Sequence, residues 1–336
     1  MSLAYFFYKG LLETGIGNII NKFKIHKRRD ILFFEELISE YVKACRDNGF
    51  SDEMLKVGEE WGRLAAKTLI PSAILSRSVD KVYNDILSKV WKSIDLVRGL
   101  ELKVKGDKVF LIVFGESGTR IIGENPIALG FHKGTIEAVL GKELKILKSI
   151  QTPEQSYYEF EITDKKIGEI KSKHKKEYFQ LNKYYKKGFD VKQALKKRII
   201  TLKGNELFLR GKKLSPFENT YFHLFGIHSK GIELLVPVSE KFFEEMLVEE
   251  SSEDEKLRFL KNLLQFMGWG EVKFLVEESK VTLLVEHPPY GFQKEKDNWL
   301  FLVKMTEGFL KAIYPKTRLS DYSFQQGRVT AKYLIR

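Results

Sequence analysis

One order of elements occurs twice in this chain, and it limits the fold more than any other feature. In the first half a helical pattern, VYNDILSKVWKSIDLV, leads into LELKV, the turn Lys105-Gly106-Asp107 and VFLIVFGE. These read as two antiparallel strands joined by a tight hairpin. A Gly-bearing loop runs to Asn125-Pro126, the helix IALGFHKGTIEAVLG follows, and ELKILKSI and YYEFEI read as a second strand pair. The second half repeats the order. Ser252 and Glu255 form an S-x-x-E capping box that opens the helix EKLRFLKNLLQFMG. EVKFLVEE and KVTLLVEHPP follow as a hairpin, then Asn298-Trp299, the helix LFLVKMTEGFLKAIY, and the strands RLSDYSFQ and RVTAKYLI.

The landmarks keep step. Val109 to Asn125 spans 16 residues and Val281 to Asn298 spans 17, while Gly134 to Phe160 spans 26 and Gly308 to Tyr333 spans 25. Few residues are identical, so the match is one of pattern and spacing. VFLIVF and VTLLVE are apolar and β-branched, as buried strands require. The expected fold class is α+β: two related domains, each a four-stranded antiparallel sheet with a crossing helix and packed upstream helices. The helices ILFFEELISEYVKACRDN and DEMLKVGEEWGRLAAKTLI are expected to complete the first core, and VPVSEKFFEEMLVEE the second. The expected boundaries are 1–163, a basic connector with a short hairpin at 164–215, and 216–336.

Charge distinguishes the connector. The 336-residue chain has net charge +12. Residues 164–215 hold 17 Lys and Arg against five Asp and Glu, and the remainder is balanced at 40 of each. Tyr178, Phe179, Leu181, Tyr184, Tyr185 and Phe189 interleave with these lysines. A phosphate-tracking surface with aromatic platforms is one reading. A solvated helix docked through its rings is the other, and the simpler. For the first, the candidate residues are Lys175, Lys176, Lys186, Lys187, Lys196, Lys197 and Arg198. RIITLKGNELFLR reads as two short strands about Gly204-Asn205.

Several chemistries lack their residues. One cysteine, Cys45, cannot form an internal disulfide or a cysteine-cluster metal site. His223 and His228 are five apart, and no HExxH, GxSxG, CxxC or GxGxxG with a following acidic residue occurs. Gly115-Glu-Ser-Gly118 is discounted as a nucleophile loop. No catalytic residue, metal or cofactor is expected. No apolar run is long and uncharged enough for a membrane span. The N-terminal MSLAYFFYKGLLETGIGNII is interrupted by Lys9 and Glu13 and is read as part of the mature body, in a cytoplasmic protein.

Gly58-Glu-Glu-Trp-Gly62, Asn125, Gly130-Phe-His-Lys-Gly134 and the tail from Glu143 to Ile162 resemble the 4-vinyl reductase-type, hydrocarbon-binding domain family of bacteria and archaea. The resemblance covers most of 30–163 and, more faintly, 216–335. It implies a fold with an apolar pocket between helices and sheet, and no reaction. Members that bind zinc place cysteines in the final strand pair; the matching stretches here have none, so no zinc site is carried over. The resemblance and the aromatics together name Trp61, Phe110, Phe131, His132 and Trp299 as pocket candidates, with a volume of roughly 300 Å³ or more expected. The functional expectation is a non-enzymatic protein that binds a small apolar molecule, senses it or acts in assembly. A nucleic-acid-binding protein is the alternative. Partners in view are a small apolar molecule, nucleic acid and a second copy of the chain.

Overall fold

A computed structural model describes residues 9, 11–15, 18–22, 28–69, 78–168, 191–204, 206–289, 299–325 and 327–335. Along the chain, strands β1 (Leu12–Gly15), β2 (Asn18–Asn21) and β3 (Arg28–Phe34) precede helices α1 (Glu35–Asp47) and α2 (Ser51–Leu69). Helix α3 runs through Val79–Lys81, a π-helical stretch Val82–Leu87, and Ser88–Ser93. Then come β4 (Gly99–Lys105), β5 (Lys108–Phe114), the single turn α4 (Thr119–Ile122), α5 (Pro126–Leu140), β6 (Lys142–Gln151) and β7 (Gln155–Lys166). The central segment gives α6 (Val191–Lys196), β8 (Ile200–Lys203), β9 (Glu206–Leu209) and β10 (Lys212–Glu218). The remainder is α7 (Asn219–Ile227), α8 (Leu235–Met246), α9 (Glu253–Met267), β11 (Glu271–Glu277), β12 (Lys280–Glu286), α10 (Leu300–Lys311), β13 (Arg318–Gln325) and β14 (Arg328–Leu334).

The fold is α+β, and two four-stranded antiparallel sheets have the same order: β4-β5-β7-β6 and β11-β12-β14-β13. Alternation sets their faces. On β5, Val109, Leu111 and Val113 are fully buried, while Phe110, Ile112 and Phe114 point the other way. Opposite them on β7 stand Phe160, Tyr158 and Ser156. In the second sheet Val281, Leu283 and Val285 face Tyr333, Ala331 and Val329. Helices α5 and α10 hold equivalent places. In each, a glutamate accepts a hydrogen bond from the backbone N–H at the start of the next strand: Glu137 from Leu144 at 2.9 Å, and Glu307 from Leu319 at 3.0 Å. Asn125 caps α5, accepting from the amides of Ile127 and Ala128, with Pro126 at the first helical position. The Ser252–Glu255 capping box opens α9.

Helices α2 and α5 approach unusually closely, through Gly58 and Gly62 on one and Gly130 and Gly134 on the other. A Cβ on any of the four would collide with backbone of the facing helix. This is a close approach that only glycine permits.

A third sheet was not anticipated. It has six strands, ordered β1-β2-β3-β10-β9-β8, and joins the N-terminal strands to the central segment. Two expectations are corrected by it. The run ILFFEELISEYVKACRDN is not all helix: Ile31–Phe34 belong to β3, and α1 begins at Glu35. Strand β10 spans the expected end of the connector, and its residues Leu214–Glu218 pair with β3. The hairpin β8–β9 is present about Gly204 as expected. Tyr178, Phe179, Leu181, Tyr184, Tyr185 and Phe189, with Lys175, Lys176, Lys186 and Lys187, lie outside the described residues.

Candidate functional site

Burial divides the core into two clusters, and a cavity lies where they meet. Its walls come from α1, α2, α3, the loop after β5, α5, β10 and α7. Trp61, Trp91, Phe131, Phe217 and Tyr221 supply aromatic surface, and Glu116, Ser117, Asn125 and His132 supply polar groups. Ring centroids are 4.3 Å apart for Trp61–Phe131, 4.6 Å for Trp61–Tyr221 and 5.3 Å for Trp91–Phe131. The cavity has about 60 Å³ of room for the centres of water-sized groups. About 10–15 Å³ holds one water, so this fits roughly four to six such groups. That is well short of the expected 300 Å³, because side chains from β10 and α7 fill space that the sequence left open.

The polar end is a buried glutamate–histidine pair. Glu116 sits where β5 breaks into a loop between Gly115 and Gly118, whose φ angles of +53° and +75° favour glycine. Its Oε1 accepts from His132 Nε2 at 2.7 Å. Its Oε2 accepts from Thr119 Oγ1 at 2.8 Å, Ser156 Oγ at 2.9 Å and Tyr158 OH at 2.8 Å. Burial alone pushes this carboxyl's pKa up. The hydrogen bond and charge of His132, then the hydroxyls of Tyr158 and Thr119, outweigh burial and hold it below the usual carboxylate value. Tyr158 is driven the other way, well above the usual phenol value, first by burial and then by the Glu116 charge. His132 is 1% exposed, and its Nδ1 is buried without a hydrogen-bond partner. Tyr83, on the π-helical part of α3, donates to the His132 backbone carbonyl at 3.3 Å.

A second ionic cluster braces the loop that carries Glu116. Arg120 donates to both carboxylate oxygens of Glu35, at 2.7 and 2.5 Å, and to Asp95 at 2.9 Å. Glu35 also accepts from the Gly118 amide at 3.0 Å and pairs with Lys213 at 3.2 Å. Burial raises the Glu35 pKa, but Arg120, Lys213 and the Gly118 amide together bring it below the usual value. This network ties α1, the Gly115–Arg120 loop and β10 together, so the loop's geometry depends on both halves of the chain.

Of the candidates read from sequence, the structure brings Trp61, Phe131 and His132 to one cavity. Phe110 does not reach it, because odd and even positions of β5 face opposite sides and Phe110 takes the outer one. Trp299 does not reach it either. It is fully buried in the second half and stacks on Phe324 at 5.8 Å. Lys196, Lys197 and Arg198 are exposed at and just after the end of α6, and none of them lines the cavity.

Sequence reasoning missed Glu116, Trp91, Phe217 and Tyr221 as site residues. For Glu116 the signal was present: two glycines flank an acidic residue at the end of a buried strand. Among the described residues, no group of three His, Cys, Asp or Glu gathers as metal ligands, and no helix is long and apolar enough to cross a membrane. No family model matches the chain, and no curated protein or solved structure matches it.

Proposed function

We propose that the chain binds a small molecule with an apolar body in the cavity between α1, α2, α5 and α7, and acts as a ligand-binding or sensory protein rather than as an enzyme. The observation that carries this reading is the aromatic wall of Trp61, Trp91, Phe131, Phe217 and Tyr221 around the buried Glu116–His132 pair. Binding sites combine mostly apolar walls with a few placed polar groups. The resemblance to the hydrocarbon-binding-type family points the same way. Ala128 on α5 lines the cavity and is nearly buried, so A128F should fill the space while leaving Glu116 and His132 themselves unaltered. Native mass spectrometry of the purified protein should show a retained small molecule, or uptake of one from a panel of small hydrocarbons and their derivatives. The A128F variant should lose it while keeping its fold. Equal uptake by A128F would place binding elsewhere.

The alternative, nucleic-acid binding through the basic central segment, has the exposed Lys196, Lys197 and Arg198 as its described part. Retention that weakens steeply with salt supports it, since lysine–phosphate contacts release counterions, whereas binding in an apolar cavity responds little.

A further inference from the structure

The sheet edges are not equally protected. An edge strand offers unpaired N–H and C=O groups to other chains, and folds blunt it with short strands, bulges or a covering element. Among the described residues the three sheets end on β1 and β8, β4 and β6, and β11 and β13. β1 and β8 are only four residues long. β6 and β13 shift register against their neighbours. β4 is covered by α3: Asn84 Nδ2 donates to the Leu102 carbonyl at 2.9 Å, and the Leu102 amide donates to Asn84 Oδ1 at 2.8 Å. β11 has none of these devices. It is seven residues long and pairs with β12 without a shift.

Alternation fixes which groups of β11 are open. Glu277 and Lys280 flank a two-residue turn and form its hydrogen-bonded pair, so the backbone groups of Lys273, Leu275 and Glu277 face β12. Those of Val272, Phe274 and Val276 point outward. The Val272 amide agrees, since it donates to Gln265 Oε1 at 3.1 Å rather than to β12. Counted from the two hairpin turns, Phe274 holds the place of Leu102, and among the described residues no side chain meets it as Asn84 meets Leu102. Leu275 and Val276 are half exposed on opposite faces of this edge.

Charge selects the occupant. The strand reads EVKFLVE. Laid antiparallel on a second copy of itself with Leu275 opposite Leu275, it sets Lys273 opposite Glu277 twice, once on each side of the axis. Phe274 then meets Val276, and both carry outward backbone groups. The neighbouring register, centred on Phe274, would oppose Glu271 to Glu277, and like charges directly opposite are destabilising. The register centred on Val276 opposes no unlike charges. A self-complementary patch of this kind suits an isologous two-fold contact.

We propose that β11 pairs antiparallel with β11 of a second copy of the chain, about a two-fold axis at Leu275, so that one sheet continues across two molecules. The inference is independent of the cavity.

Sedimentation velocity on the full chain tests it. One strand pair buries less than the roughly 1,200 Å² of a stable interface, so wild-type protein should exchange reversibly between monomer and dimer over about 1–300 μM. K273E and E277K each oppose like charges at both ends of the pairing and should weaken the dimer about tenfold. The double variant K273E/E277K restores unlike charges and should return affinity to within about threefold of wild type. Both side chains are more than half exposed, so the variants should keep their fold. In L275C two thiols meet on the axis, at a non-hydrogen-bonded pair whose Cα spacing of about 4.5 Å a disulfide can bridge. Mild oxidation with diamide should then link the copies on a non-reducing gel, the native Cys45 being buried. A monomer across the whole range overturns the proposal. So does a dimer that both single charge variants leave unchanged, one that the double variant fails to restore, or an L275C dimer that oxidation does not link.

Discussion

The two sheet-and-helix halves share an element order and differ in what their interiors hold. In the first, Ser156 and Tyr158 on β7 point inward and donate to Glu116. The register places Ser156 opposite Val113, and the corresponding partner of Val285 on β12 is Val329. Where Tyr158 faces Leu111, Ala331 faces Leu283. If Glu137 and Glu307 mark the same helix position, Phe131 and His132 correspond to Phe301 and Leu302, both fully buried. The second half thus has apolar side chains where the first has the hydrogen-bonding partners of a buried carboxylate. Phe301 also packs among Phe33, Phe222 and Phe225, with centroids 5.0 to 5.7 Å away. One scaffold tolerates either a solid core or a polar cavity whose buried carboxylate is hydrogen-bonded on both oxygens.

The largest test of this contrast is steric. Trp299→Ala removes a fully buried indole from the solid half and should cost about 4 kcal/mol. Trp61→Ala, at the rim of the cavity, should cost less than half as much, because its ring already borders open space. Chemical denaturation of both variants measures this. Similar losses would mean that the first half is packed as tightly as the second.

The next test exchanges one interior for the other. Glu116→Ala strands the donors of His132, Thr119, Ser156 and Tyr158 and should cost about 3 kcal/mol. Adding H132L, S156V and Y158F, which removes most of those orphaned donors, should recover part of that loss. Denaturation midpoints of the single and the combined variant provide the check. A combined variant less stable than the single one would show that the polar network cannot be exchanged for the apolar pattern of the second half.

The alternation of β5 and β12 could be read from the sequence, because it follows from contacts within a few residues, and the glycines of α2 and α5 stood out through the family resemblance. The central sheet could not. Pro216 hides β10 in the sequence, since proline lacks the N–H a ladder requires. In the structure β9 pairs only with Lys212–Leu214, so Pro216 lies beyond its reach, opposite Leu32 on β3. The apolar run of β3 continues directly into that of α1, and periodicity alone does not locate the junction. The site was legible in part for the same reason. Trp61, Phe131 and His132 were named through the family resemblance and the aromatics, and the structure sets them on two helices that meet at glycines, whereas Phe217 and Tyr221 arrive through long-range pairing of β10.

Acid gives the smallest of the three tests. The pKa values of Glu35 and Glu116 lie below those in the unfolded chain, where a glutamate titrates near about 4.3. Their contribution is therefore complete above that value and is lost as pH falls through the folded values. Stability should be flat from pH 7 to about 5 and decline below about 4. Glu35→Gln and Glu116→Gln should each flatten the decline, as read from urea midpoints. An unchanged acid profile in both would show that these carboxylates are not what acid attacks.

The central sheet also sets a schedule for synthesis. β3 pairs Phe34 with Leu214, about 180 residues further along. At about 5–20 residues per second, one side of β3 waits roughly 10–40 s on the ribosome for the strand that covers it. During that interval an apolar strand edge is open to any extended chain nearby. Yield in the cell should therefore respond to translation speed and to chaperone supply between residues 34 and 218 more than to the equilibrium stability of the finished protein.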